Sequence, residues 1–481
     1  MATVGPYAYL EKFARETPDQ FAVVNGPTRI TFAKLHDMTS AIGSAMRAEG
    51  VRKGHVVLLK AGSPLWDYIF CIAALHEGVA VAVQTSPTYN RSMAADFAFS
   101  AFPIDGFPKA NTVTIDATWL SRAEKSERLD PISYDEPNPM VRLLQTSGTT
   151  GEPKVLEYKF QDFTDIFAGA NQETMEQVFC LLPFSIMAGS TIGLRSLKLG
   201  LPYLLPTGNR VDDLKMIEAY RCTTVIGSTG MIADIYADEA FAETTSKIKI
   251  LRVAGSAIPR QMVQQLRQKS NVRIMNRYGS TEVGGVAGRE VSLTDEDQLV
   301  GTLYPGVVIR IVDDQFNELP HGEIGRIAVQ TPHMRQGYRN NSEATAKHFV
   351  DGFFYSGDEG YLTDSNQLFL VGREDERINA GGVKSDPAIL DVAIRSISGI
   401  RDAAVFGFDR KDGIRAAAAV LVLEPGAEMS KLIEEINRDL GSKKPAAFIE
   451  VKAIPRNLMG KVQRLELEKM YSNDARKLAG G

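Results

Sequence analysis

The sequence predicts an α/β protein: a large N-terminal domain of several α/β sheets with a late antiparallel β section, and a small α+β C-terminal domain. Three observations carry this. Short apolar runs rich in β-branched residues alternate with helical patterns over the first ~130 residues and again over 180–260. From about residue 301 two alternating runs are separated by turns such as DDQ and PHGE, the texture of antiparallel strands. After residue 373 the pattern shortens to helix, strand, strand, helix. A length of 481 residues leaves room for about three folding units at ~150 residues each.

The elements follow in order. Residues 7–16 are amphipathic, 21–25 and 56–60 read as strands, and 42–49 read as a helix stopping before Gly50. The apolar stretch 68–75 resumes at 79–83 after His76, Glu77 and Gly78. It is far shorter than the ~20 residues a bilayer requires, so it predicts a buried helix, a glycine turn and a buried strand. DPISYDEPNP (130–139) has three prolines and no period, hence a loop. VRLLQ and VLEYKF read as strands on either side of the loop 146–154. Further strands are expected at 181–182, 203–205, 223–226, 248–253, 307–312 and 324–330. In the last part, 388–396 and 429–440 read as helices and 403–407 and 416–423 as strands. The final SNDARKLAGG reads as a frayed end.

Composition excludes several classes. Hydrophobic residues make up 44% and charged residues 23%, as in ordinary globular proteins. The net charge of −5 gives no basic excess for nucleic acid or an anionic membrane surface. The first twenty residues hold no apolar h-region, so no secretory signal and no membrane span are expected, and a cytoplasmic location follows. Cys71, Cys180 and Cys222 form no CxxC pair, and the six histidines show no HxH or HxxxH spacing. Neither a disulfide framework nor a structural metal is expected. The 41 glycines, about 8.5%, slightly exceed the usual ~7%.

The excess concentrates in motifs. TSGTTGEPK, 146–154, holds two glycines, four hydroxyls and a lysine. Glycines let backbone approach a ligand, hydroxyls and N–H groups can cradle phosphate oxygens, and lysine supplies countercharge. It is not a Walker A loop, because Lys154 precedes a strand rather than opening a helix. NRYGSTEVGG (276–285) joins an aromatic ring suited to a purine face with a carboxylate suited to a hard cation. FYSGDEGYL (354–362) carries an aspartate whose two oxygens suit a vicinal diol. VGREDERINAGGVK (371–384) and PRNLMGKVQR (455–464) complete the set.

In this order, the five stretches resemble the motifs of the adenylate-forming superfamily: acyl-CoA synthetases, non-ribosomal peptide adenylation domains and luciferases. The resemblance implies an N-terminal ATP- and acid-binding domain (1–372), a hinge (373–375) and a mobile C-terminal domain (376–481). It implies nucleotide contacts from Thr146, Ser147, Gly148, Thr149, Thr150, Gly151, Lys154, Tyr278, Gly279, Ser280, Asp358 and Arg373. Tyr278 would stack on adenine, Thr281 would face the α-phosphate, Glu282 would hold Mg²⁺, and Asp358 would take both ribose hydroxyls. Asp375 falls on the hinge position, and Gly381 and Gly382 on a strand facing the thiol tunnel. Lys461 is the implied catalytic lysine, offsetting charge on the transferring phosphoryl group; removing one such donor typically costs roughly 10²–10³ in rate.

Departures from the pattern bear on the substrate. LLPFSIMAGS (181–190) has Ile186 where many acyl-CoA synthetases carry a histidine or aromatic, and no aspartate to pair an α-ammonium group. An α-amino acid is therefore disfavoured. The acidic residue that follows the proline in the fourth motif is missing after Pro387. The implied acyl pocket comprises Ile186, Met187, Gly189, Gly227, Ser228, Gly230, Met231, Gly255, Ser256 and Ala257, small or apolar, as suits an aliphatic or aromatic monocarboxylate. Arg277, next to Tyr278, is expected at the surface, with contact to a second carboxylate of the substrate as the alternative. The implied activity is ATP- and Mg²⁺-dependent formation of an acyl-adenylate from a small carboxylic acid, then acyl transfer to a thiol, with coenzyme A favoured. An acyl carrier protein's phosphopantetheine is the alternative acceptor, and a catalytically inactive ATP-binding relative is the alternative of another class. The chain is expected as a monomer or homodimer.

Overall fold

The computed structural model describes residues 5–85, 88–146, 153–164, 178–237, 239–254, 258, 260–296, 298–380, 383–457 and 461–479. Its mixed α/β architecture matches the class expected from the sequence. No helix is long and apolar enough to cross a membrane among these residues. The stretch 68–75 belongs to the helix Pro64–His76, which Ser63 caps by accepting from Trp66 N (3.3 Å) and which Pro64 opens. Every residue from Tyr68 to His76 is buried. The helix is apolar all round because it lies inside the largest core cluster, which draws residues from two sheets.

The first of these sheets has six strands in the order Thr112–Thr114, Phe97–Ser100, Val56–Lys60, Ala80–Val83, Met140–Gln145, Val155–Lys159. All neighbours are parallel except the last pair, an antiparallel hairpin with Gln145 opposite Val155. That hairpin places Thr146 and Lys154 together at one sheet end. The second sheet has eleven strands. Val178–Cys180, Thr224–Gly227, Ile250–Ala254 and Arg273–Ser280 run parallel, and helices pack on their outer face around Leu214, Ile232 and Leu266. At Gly284–Glu290 the pairing turns antiparallel and stays so through Leu299–Leu303, Gln367–Arg373, Phe353–Leu362, Gly325–Gln330 and Val308–Val312. The reversal comes at the YGSTE turn, earlier than the expected change near residue 301.

Residues beyond 376 form a three-stranded sheet, Ile400–Asp409, Arg415–Leu423 and Ala447–Glu450. Helices Pro387–Arg395 and Met429–Leu440 cover one face through Leu390, Ile394 and Ile436. Helix Arg464–Leu478 covers the other through Leu467 and Ala475. Strand Ile400–Asp409 serves both cores by alternation: Ala403 and Val405 face one, Ala404 and Phe406 the other.

Three local expectations are corrected. The helix expected over 42–49 begins at Phe32, capped by Thr31, because its buried face contains Thr39, Ser40 and Ser44, which mask the apolar period. Thr39 satisfies its hydroxyl by donating to Leu35 O (2.8 Å), and it meets Tyr7 Oη at 2.9 Å. The strand expected at 181–182 is Val178–Cys180, stopped by Pro183. The tail expected to fray is helical to Leu478, since Tyr471, Ala475 and Ala479 pack on the small sheet.

Candidate active site

The switch from parallel to antiparallel pairing gathers side chains from distant segments. Asp358 and Arg373 sit opposite one another on adjacent strands. Asp358 Oδ2 accepts from Tyr278 Oη (2.5 Å) and Ser356 Oγ (2.9 Å), and Oδ1 accepts from Arg373 Nη1 (3.2 Å). Arg373 Nη2 also donates to Ser356 O at 3.3 Å. Burial pushes the Tyr278 phenol well above its usual pKa, and the neighbouring carboxylate adds to the shift. The phenol therefore stays protonated and donates.

A second group adjoins it. Glu282 is only 7% exposed, and its Oε1 accepts from Tyr338 Oη at 3.0 Å. Arg335 N donates to Glu282 O (2.8 Å), and Tyr158 Oη donates to Thr281 O. These bonds clamp the YGSTE turn to the hairpin strand Val155–Lys159 and to the segment around residue 335. Ser280 Oγ is buried, with no hydrogen-bond partner among the described residues. A buried hydroxyl in that state suits a site completed by a polar ligand. Lys154 Nζ meets His348 Nε2 at 2.7 Å and lies over the Tyr338 ring at 4.9 Å. Thr146 N donates to Lys154 O (2.8 Å), closing the base of the loop. Ser147, Gly148, Thr149, Thr150 and Gly151 lie outside the described residues.

Thus Lys154, Tyr278, Glu282, Asp358 and Arg373 belong to two adjoining networks, with Gly279 and Ser280 between them. Lys461 is elsewhere. It is exposed on a loop closed by Lys461 N to Asn457 Oδ1 (3.0 Å) and Asn457 N to Lys461 O (2.9 Å). Among the described residues its hydrogen bonds stay within that loop. Arg464, from the same motif, is instead drawn inward: Nε donates to Glu376 (2.9 Å), Nη1 to Val405 O (2.7 Å) and Nη2 to Asp391 (2.8 Å). Asp375 lies in the single turn Glu374–Glu376. Just before it, Arg373 N donates to Asp386 Oδ2 (3.0 Å), and the same carboxylate caps helix Pro387–Arg395. A Cβ at Gly372 would stand 1.6 Å from Asp386 Oδ2, so glycine permits this joint. Gly381 and Gly382 are outside the described residues.

Of the acyl-pocket set, Ile186, Met187 and Met231 pack, half-buried, against the same core as Tyr278. Gly189 is buried, and a Cβ there would come within 2.2 Å of Pro183 O, so packing dictates this residue. Gly227 is buried beside Leu181, Ser228 caps helix Thr229–Tyr236, and Gly230 faces open space. Gly255, Ser256 and Ala257 lie outside the described residues. Arg277 is not at the surface, as expected from the sequence, but half-buried. Gly288 stands opposite it on the next strand, and its guanidinium crosses Gly285, 5.8 Å from the Tyr304 ring. The missing side chains on that strand make the room, and burial lowers the arginine's pKa.

Sequence reasoning missed His348 and Tyr338. Neither carries a local pattern; His348 and Lys154 are 194 positions apart. They meet where the start of strand Val155–Lys159 approaches the segment before helix Ser342–His348, with Arg339 N donating to Val155 O (2.8 Å).

Comparison with known proteins finds likeness along nearly the whole chain. The family model described as AMP-binding enzyme matches residues 100–339. A 2-succinylbenzoate–CoA ligase of Geobacillus sp. (strain WCH70) is 25% identical over 478 residues, spanning 95% of this chain and 96% of that protein. The O-succinylbenzoate coenzyme A synthetase of Bacillus subtilis in complex with AMP superposes with a TM-score of 0.80 at 21% identity, covering 97% of this chain and 98% of that one. The same synthetase with ATP and magnesium ion gives 0.79 at 22%, covering 95% and 98%. With likeness along nearly its whole length and a matching AMP-binding segment, the chain belongs to the adenylate-forming superfamily of AMP-binding enzymes.

Proposed function

We propose that the chain activates a small carboxylic acid with ATP and passes the acyl group to coenzyme A. A carboxylate oxygen of the acid attacks the α-phosphorus, the bond to pyrophosphate breaks, and acyl-AMP forms. The thiol sulfur then attacks the acyl carbonyl, AMP leaves, and the thiol proton is released. The observation that carries this reading is the Asp358 carboxylate, ringed by Tyr278, Ser356 and Arg373 beside Glu282 and Lys154. Two acceptor oxygens, a cation and a buried acid are what a ribose, a phosphate and a metal need. The full-length likeness to acid–CoA ligases supports the acceptor.

In this reading Asp358 takes the ribose hydroxyls, Tyr278 and Arg373 orient it, Thr281 faces the α-phosphate, and Lys154 meets a phosphate oxygen. Magnesium fits the residues present. Glu282 offers a nearly buried carboxylate, and no cluster of three or more His, Cys, Asp or Glu could hold a metal among the described residues. Mg²⁺ is typically held by one or two carboxylates plus substrate phosphates, and it supplies charge neutralisation there. The unit 376–481 moves about Asp375 and carries Lys461 to the α-phosphate for the first step. Its own two-sided core and the confinement of Lys461 to its loop support such movement.

The test is acid-dependent exchange of labelled pyrophosphate into ATP over a panel of mono- and dicarboxylic acids, the latter included because Arg277 turns inward beside the pocket. A thioester assay offering coenzyme A and a carrier protein side by side follows. No exchange with any acid would sink the reading.

A further inference from the structure

His348 ends the helix Ser342–His348 and faces the site from a segment that no motif covers. Its Nδ1 lies 2.9 Å from Tyr355 O, an atom that only accepts, so Nδ1 carries the hydrogen. Nε2 then keeps its lone pair and accepts from Lys154 Nζ at 2.7 Å. The imidazole is stacked on Phe354 (6.2 Å, 29°) and edge-on to Tyr338 (6.0 Å, 89°), so its direction is set on three sides. Tyr338 in turn lies under the Lys154 ammonium and donates to Glu282. One run of contacts therefore joins the lysine of the phosphate loop to the proposed metal carboxylate.

We propose that His348 is a positioning residue for ATP: its neutral imidazole, with the Tyr338 ring, holds the Lys154 ammonium in place for a phosphate oxygen. This rests on the nucleotide reading above. The chemistry of the holders is the reason. An imidazole lone pair and an aromatic face fix it by dipole and quadrupole and leave the charge to act on the nucleotide. An ammonium on four rotatable bonds would otherwise lose its side-chain freedom when ATP arrives, which weakens binding.

The experiment is calorimetric titration of the full-length protein with Mg·ATP, together with KM for ATP and for the acid. His348→Phe keeps a ring of similar size without an acceptor; His348→Gln keeps an acceptor oxygen. We expect His348→Phe to weaken ATP binding about tenfold, roughly 1.4 kcal/mol, with KM for the acid unchanged, and His348→Gln to recover most of the loss. In a Lys154→Met background, His348→Phe should cost nothing further. Equal ATP affinity in wild type and folded His348→Phe overturns the proposal. So does a Gln variant as weak as Phe, or losses that simply add with Lys154→Met. Should His348→Phe fail to fold, the Gln variant and its cycle with Lys154→Met decide alone, by coupling or its absence. Failure of the wild type to bind ATP would instead sink the underlying nucleotide reading.

Discussion

Asp358→Asn isolates the nucleotide reading with an almost isosteric change. In the structure three donors converge on this carboxylate: Tyr278 Oη, Ser356 Oγ and Arg373 Nη1. The carboxylate has about four lone-pair positions, so a diol can be received beside or in exchange for these donors. Asparagine retains one acceptor oxygen and turns the other position into a donor. One charge-assisted hydrogen bond to the ribose is lost, worth about 1.5–3 kcal/mol. That corresponds to roughly 10- to 150-fold in KM for ATP at a factor of ten per 1.4 kcal/mol. The assay is pyrophosphate exchange with ATP and, in parallel, with 2′-deoxyATP. The wild type should prefer ATP by about the same factor, and Asp358→Asn should treat the two nucleotides nearly alike. An Asn variant that keeps the full wild-type preference would refute the assignment, because discrimination at the 2′-hydroxyl would then reside elsewhere. A thermal melt run alongside separates this from simple loss of fold.

Other outcomes follow from the same geometry. Lys461→Ala should lower the adenylation rate roughly 10²–10³-fold with an unchanged melting temperature, since the loop is closed by Asn457 and backbone atoms; single-turnover acyl-AMP formation measures it. Arg464→Met strands the nearly buried Asp391 and the partly buried Glu376, so the C-terminal unit should lose about 3–5 kcal/mol, read by denaturant unfolding and by proteolysis after residue 376. Burial, with the charges of Lys154 and Lys347, lowers the His348 pKa against the opposing Tyr355 carbonyl and Glu282. Its neutral form is therefore favoured in the folded protein, and the stability this contributes is present above the ordinary value of about 6.5 and falls away as pH drops below it. ATP affinity should weaken over the same acidic range in wild type and not in His348→Phe, as a KM–pH series will show. Gly189→Ala should destabilise by about 1–3 kcal/mol through contact with Pro183 O, checked by thermal unfolding.

Much of this protein is legible along the chain because its determinants are local. Strand Val56–Lys60 declares itself as a short apolar run, helix Met429–Leu440 by its period, and Lys154, Tyr278, Asp358 and Arg373 by motif spacing. The period is hidden where a buried face is polar, as at Thr39 and Ser44, and local pattern is weak where a terminal helix gains its stability from a distant sheet, as at Ala475. The sequence alone determined the class of fold, the order of the motifs and the residue types able to meet a nucleotide, since these depend on neighbours within a few positions. Only the tertiary structure decided that Arg277 turns inward, that Arg464 serves the scaffold while Lys461 stays exposed, and that His348 holds Lys154. Those outcomes depend on strand pairing and on glycines such as Gly285 and Gly372 leaving room, and packing between segments far apart in the chain has no period to read.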